Sequence, residues 1–243
     1  MGGPRVTTGV DSKQDYGTPD LLLDACEARF GGLTLDLAAH CGNTVHDRYL
    51  APKELSLKYD PQKDDWQEVL QVLHAQGGDM EEIRKAIADI RSDGRKGLVT
   101  VPNHDTGPVA FDSFSVDWWA LQVALGGIFW LNPPFTQIPV WAAKCKEAAA
   151  LGCQVLFLVP AAVGSNWFRD HVVGHAAVYY LNGRVSFNGL APYPKDCMVC
   201  HYGAQHKRSY VWDWKRGRIC HTWYDQGELI GPQADVCAVS PIA

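Results

Sequence analysis

Gly126-Gly127-Ile128-Phe129-Trp130-Leu131-Asn132-Pro133-Pro134-Phe135 is a short apolar run that stops in a polar turn locked by two prolines. Ile128 to Leu131 is too short for a helix and rich in β-formers, which predicts a buried strand. Two consecutive prolines end it, because neither can donate to a ladder. The strand delivers Asn132 to its carboxyl end, where open α/β sheets bind ligands.

The residue types at the turn suit one kind of group. Asn132 offers a side-chain carbonyl, Pro133 a main-chain carbonyl with its φ fixed, and Phe135 a flat apolar face. Two convergent acceptors and an aromatic plate fit a planar exocyclic amine. The acceptors take its two hydrogens while the ring stacks on the heterocycle. Holding both hydrogens out of the ring plane aims the nitrogen lone pair at an electrophile, so the turn works by orientation and needs no strong base.

Around this turn, 243 residues are enough for one large α/β domain, or for a core plus an insertion. No stretch approaches the roughly 18–20 apolar residues of a membrane span. Met1 to Gln14 has no apolar segment of the secretory kind. Eight cysteines are read as reduced thiols, and a cytoplasmic location is expected. The net charge of −5 is unusual for a protein that binds nucleic acid. Lys207-Arg208 and Lys215-Arg216-Gly217-Arg218 are local basic clusters that could supply a binding face.

Before the turn, Gly17-Thr18-Pro19 opens an amphipathic helix that stops at Gly31-Gly32, with Thr18 as N-cap and Pro19 at the first helical position. Leu33 to Ala39 reads as a strand carrying one acid, Asp36, which is costly to bury without a cation or donors. Asp64–Ala75 and Asp79–Ile90 show helical spacing and predict a helical-hairpin insertion. Its later part carries Arg84, Lys85, Arg91, Arg95 and Lys96, as a solvated face or a DNA-contacting element.

After the turn, Val140–Leu151 predicts a helix and Cys153–Val159 a strand buried on both faces. Ser165 is the expected N-cap of the next helix, and Ala176–Leu181 the next strand. Asp196–Tyr202 is expected to close the sheet, and Tyr210–Tyr224 to form an aromatic hairpin beyond it.

Asn-Pro-Pro-Phe resembles the (Asp/Asn/Ser)-Pro-Pro-(Tyr/Phe/Trp) motif of S-adenosylmethionine-dependent amino-methyltransferases. Its context resembles the phage-type (Dam-like) DNA N6-adenine methyltransferases. The resemblance covers roughly residues 14–50 and 110–202. It includes Thr18-Pro19, the Asp36-x-Ala38-Ala39 segment, Asn43 to Tyr49, and Gly183-Arg184-x-x-Phe187. It implies a Rossmann-like class I methyltransferase fold, α/β, with a mostly parallel doubly wound sheet and a late antiparallel strand. Residues 1–50 and 110–204 would form the core, 51–109 a helical insertion, and 205–243 a C-terminal aromatic hairpin and tail.

Asn132, Pro133, Pro134 and Phe135 would be catalytic. Tyr16, Thr18, Pro19, Asp36, Ala38, Asn43 and Asp112 would bind S-adenosyl-L-methionine. Asp112 would contact its adenine amine or, alternatively, cap a helix; Asn43 would contact ligand or cap a loop. The implied reaction is methylation of adenine N6 in DNA, with the base flipped out of the duplex, in the cytosol of a bacterium or phage-infected host.

The chain departs from the broader class in having no Gly-x-Gly after Asp36, only Gly42. N4-cytosine methylation uses the same turn, commonly with serine and tryptophan. Protein-glutamine methylation also uses Asn-Pro-Pro with an aromatic, and a non-catalytic DNA-binding module of the same fold is a further alternative. Cys197-Met198-Val199-Cys200-His201 matches a haem-attachment pattern, and with His206, Cys220 or His221 could make a zinc site. Alternation along a strand suits buried thiols better, so neither a metal nor a membrane is expected among the partners.

Overall fold

A computed structural model describes residues 17–39, 44–52, 54–105, 108–187, 191–223 and 229–230. Among them the chain forms two compact units, one from residues 38–116 and one from 17–37 with 117–230.

The larger unit is built on an eight-stranded sheet. Its strands are β1 (Leu33–Asp36), β6 (Ile128–Leu131), β7 (Val155–Pro160), β9 (Cys197–Tyr202), β8 (Ala176–Leu181), β10 (Ser209–Asp213), β11 (Arg218–Trp223) and β12 (Leu229–Ile230), in that spatial order. β1, β6 and β7 are parallel, β9 is antiparallel to both β7 and β8, and β10 is parallel to β8. The carboxyl ends of β1, β6, β7, β8 and β10 therefore share one edge. β6 has the predicted bounds. All four of its residues are buried, as are all six of β7, which is why neither run shows a polar alternation. Each large side chain so buried contributes about 1.5–3 kcal/mol.

Helices cover both faces. α1 (Asp20–Phe30) sets Phe30 edge-on against Tyr179, His201 and Trp212 at 4.9, 5.2 and 5.6 Å. α5 (Ile138–Ala150) buries Trp141, Ala142, Cys145 and Ala148, and Trp118 of α4 (Trp118–Leu125) stacks on Trp141 at 6.3 Å. α6 (Asn166–His171) follows; its last residue accepts a hydrogen bond at its carbonyl from the Tyr202 hydroxyl, 2.9 Å away. Residue 202 points away from the face of residue 201, so α5 and α6 lie opposite α1. Gln122 of α4 ties β6 to β7: its Nε2 donates to the carbonyls of Gly127 and Gln154, and its Oε1 accepts from the Gln154 amide at 2.7 Å. Gly127 enters β6 at φ 66°, and a Cβ there would stand 2.2 Å from Thr34 Cγ2, so only glycine fits.

Several expectations change. Asp196–Tyr202 does not close the sheet: β9 lies inside it, and β10 and β11 extend it further. The aromatic hairpin is thus part of the main sheet, because Ser209 to Trp212 finds a parallel partner in Val178 to Leu181. Pro19, not Thr18, is the N-cap of α1, and it makes no side-chain capping bond. Ser165 stands at the N-cap of α6, but its hydroxyl donates back to the Ala162 carbonyl at 2.7 Å. Asp112 caps no helix; Asp117 takes the Ala120 amide at the start of α4.

The smaller unit corrects the helical-hairpin reading. α2 (Trp66–Ala75) and α3 (Met80–Asp93) are present, capped by Asp65 and Asp79, but they lie between two antiparallel strands, β3 (Glu54–Tyr59) and β4 (Gly97–Pro102). Leu55, Tyr59, Val69, Leu73, Ile83, Ile87, Val99 and Val101 form its core. β2 (Leu50–Ala51) pairs with β5 (Ala110–Phe111) in the same unit. No helix of the described residues is long and apolar enough to cross a membrane.

Burial holds the His201 imidazole down at about 4, against an ordinary value of 6.5. Because the unfolded chain takes up that proton first, the stability tied to neutral His201 is complete above about pH 6.5 and is lost as the pH falls toward 4. His201→Gln is therefore expected to flatten this part of the urea-midpoint profile. An unchanged slope between these pH values would show that His201 is not responsible.

Candidate active-site corner

The corner begins where β6 ends. Pro134 (φ −54°, ψ 123°) starts a 3-10 turn, Phe135–Gln137, that leads into α5, and its carbonyl takes the Gln137 amide at 3.0 Å. The Pro133 carbonyl has no part in that turn. Asn132 Nδ2 donates to Thr18 Oγ1 at 3.1 Å, across 114 positions of sequence. This contact explains the displaced cap: the Thr18 hydroxyl faces the corner instead of the first turn of α1. Thr18 is buried, with 8% of its surface exposed. Asn132 Oδ1 exposes less than 1 Å². An incoming donor therefore meets that oxygen only after rotation about Cβ–Cγ, a broad sp³–sp² torsion. The outward-facing carbonyl expected from the sequence is thus not the resting arrangement.

Asp36 ends β1, the neighbour of β6, with Trp130 as its Cα partner, and the Leu37 amide donates to the Trp130 carbonyl at 2.9 Å. Only 3% of Asp36 is exposed. Its carboxylate thus lies buried at the edge shared with Asn132.

Phe135 is fixed by two rings. Phe187 meets it edge-on at 6.1 Å and Tyr193 at 5.6 Å, and these two meet each other at 5.7 Å. The loop that carries them is drawn in by the Tyr193 amide, which donates to the Val185 carbonyl at 2.8 Å. Phe187 belongs to the Gly-Arg-x-x-Phe segment singled out above. Tyr193 was missed, although a tyrosine between Pro192 and Pro194 is a stiff aromatic.

The structure thus brings Thr18, Pro19, Asp36, Asn132, Pro133, Pro134 and Phe135 into one unit. Ala38 and Asp112 belong to the other unit, where Asp112 adopts φ 59° and donates its amide to the Ala51 carbonyl at 2.8 Å. Tyr16 and Asn43 lie outside the described residues.

The Cys197 to His201 run is the interior strand β9 and carries no exposed thiol: burial pushes Cys197 up to about 12 and Cys200 higher still. Among the described residues no group of three or more His, Cys, Asp or Glu could hold a metal ion.

No curated protein and no solved structure matches the chain. The model of one family, DNA N-6-adenine-methyltransferase (Dam), matches residues 109–199. That span holds β6, the Asn-Pro-Pro-Phe corner, both rings that fix Phe135, and the strands β7 and β8. Over residues 109–199 the chain is thus similar to the DNA N-6-adenine-methyltransferase (Dam) family.

Proposed function

We propose that the chain methylates the exocyclic N6 amine of adenine in DNA, using S-adenosyl-L-methionine, with a class I methyltransferase fold and residues 51–109 inserted into its core. The observation that carries the reading is the hydrogen bond between Asn132 and Thr18, which joins the Thr-Pro segment to the corner.

The donor set suits the cofactor. Asp36 would meet its positively charged end, and Thr18 and Pro19 would line the approach to the corner. When bound, the cofactor supplies an electrophilic methyl group. The rest is the work of the chain. Once the Asn132 amide has turned about Cβ–Cγ, its Oδ1 and the Pro133 carbonyl accept the two amine hydrogens and turn the nitrogen lone pair out of the ring plane. Pro134 fixes the distance between that pair of acceptors and Phe135. The adenine would leave the duplex to reach them and would stack on the Phe135 ring. The amine nitrogen would gain the methyl carbon as the sulfonium's bond to that carbon breaks and leaves a neutral thioether, and would lose one proton, which passes to water.

Incubation with labelled cofactor and plasmid DNA, followed by digestion to nucleosides, should yield N6-methyladenosine. N4-methylcytosine, or label in protein, would overturn the assignment. Thr18→Val tests the carrying observation. The isosteric change leaves the Asn132 amide without its hydroxyl partner, a loss of about 1–3 kcal/mol in a buried setting. Turnover should fall about tenfold, and cofactor affinity should weaken with it, because Thr18 also lines the approach of the cofactor. Unchanged turnover would show that the contact does not set the amide.

A further inference from the structure

The chain as a whole is acidic, with a net charge of −5, yet four cations gather at one part of the carboxyl edge of its sheet. Arg184 follows β8 at that edge and is exposed. The turn from β10 to β11, Trp214 to Gly217, lies at the same edge because β10 runs parallel to β8. Trp214 is buried and its Nε1 donates to the Gly183 carbonyl at 3.3 Å, which holds the turn against the residue before Arg184. Lys215 then lies over Gly183: a Cβ on that glycine would stand 4.0 Å from Lys215 Nζ.

Asp213, only 9% exposed, braces the remaining two cations, with Arg216 Nη1 at 3.4 Å and Arg218 Nε at 3.6 Å. Their side chains are 71% and 61% exposed. Each guanidinium carries five N–H donors, so one carboxylate leaves most of them directed to solvent. Four cations are thus presented on one rigid ridge, with their positions set by a buried tryptophan and a buried acid.

We propose that this ridge, Arg184 with Lys215, Arg216 and Arg218, docks the phosphate backbone of duplex DNA. It lies in the same unit as Asn132 and on the edge where β6 delivers it. Apart from Arg184 it falls outside the span that matches the family. The proposal rests on the reading of the chain as a DNA methyltransferase and adds the surface that holds the duplex. Backbone contacts carry no sequence information; they fix register and supply the salt-dependent part of affinity through counterion release.

The test is the full chain against Arg184→Gln/Lys215→Gln, a pair that leaves the Asp213 bridges intact. Binding of a fluorescent duplex is followed over a range of salt concentrations. Two lost phosphate contacts should lower the slope of log K against log salt by about 1.8 and weaken binding about thirtyfold near 0.15 M salt. Cofactor affinity and the thermal midpoint should stay at the parent values. An unchanged slope and affinity in the variant, with a parent that methylates DNA, would overturn the ridge. A parent that neither binds nor methylates DNA would overturn the methyltransferase reading itself.

Discussion

Asn132→Ala is expected to lower the rate of methyl transfer by about a hundred- to a thousandfold while the cofactor affinity stays within about threefold. The size follows from the role. An aryl amine is a poor nucleophile, and one of the two acceptors proposed to reorient it is removed, which should cost about as much as deleting one preorganised polar partner in other active sites. The methyl donor would still meet Asp36 and Thr18, which the substitution leaves in place. Asn132 is half-buried at a turn whose backbone is set by Pro133 and Pro134, so the variant should fold. Asn132→Asp keeps an acceptor at the same place and should retain more activity than the alanine form. Turnover of the alanine variant near the parent rate would remove Asn132 from the mechanism.

Asp36→Asn should separate binding from chemistry in the opposite sense. The side chain sits at the end of a strand pinned to β6 by the Leu37 to Trp130 hydrogen bond. Replacing its carboxylate with an amide of the same shape changes charge and little else. Hydrogen bonds to a charged group contribute about 1.5–3 kcal/mol. The cofactor Kd measured by calorimetry should therefore rise by up to about a hundredfold. Turnover at saturating cofactor should remain within about fivefold of the parent. A Kd that does not move would show that the acid serves the fold instead of the ligand.

The two substitutions also mark what was readable beforehand. Ile128 to Leu131 and the prolines after it act locally, and the strand and its corner are where the sequence puts them. The run from Ala176 to Leu181 is likewise a strand over its predicted length. Thr18 shows the limit: its local pattern is that of a cap, and a partner 114 residues away takes its hydroxyl instead. β3 was missed although Glu54-Leu55-Ser56-Leu57-Lys58-Tyr59 alternates, because its partner is β4, some forty residues later, and the helices between dominate the pattern. The interior place of β9 is a matter of strand order, which no single segment encodes. Tyr193 acts on Phe135 only through the folded loop, so its part in the corner has no local signature.

The ends of the β3 to β4 element have a further consequence. Glu54 faces Pro102 across the pair, and Asn103 Nδ2 donates to the Pro52 carbonyl at 2.9 Å. Its apolar interior comes wholly from between those ends, from Leu55 to Val101. About fifty residues thus leave and rejoin the chain at adjacent points, and from their middle the Gly77 carbonyl and the Glu82 carboxylate reach back to His104 just beyond them. A tight turn in their place would close the same gap but would strip the His104 amide of the Gly77 carbonyl.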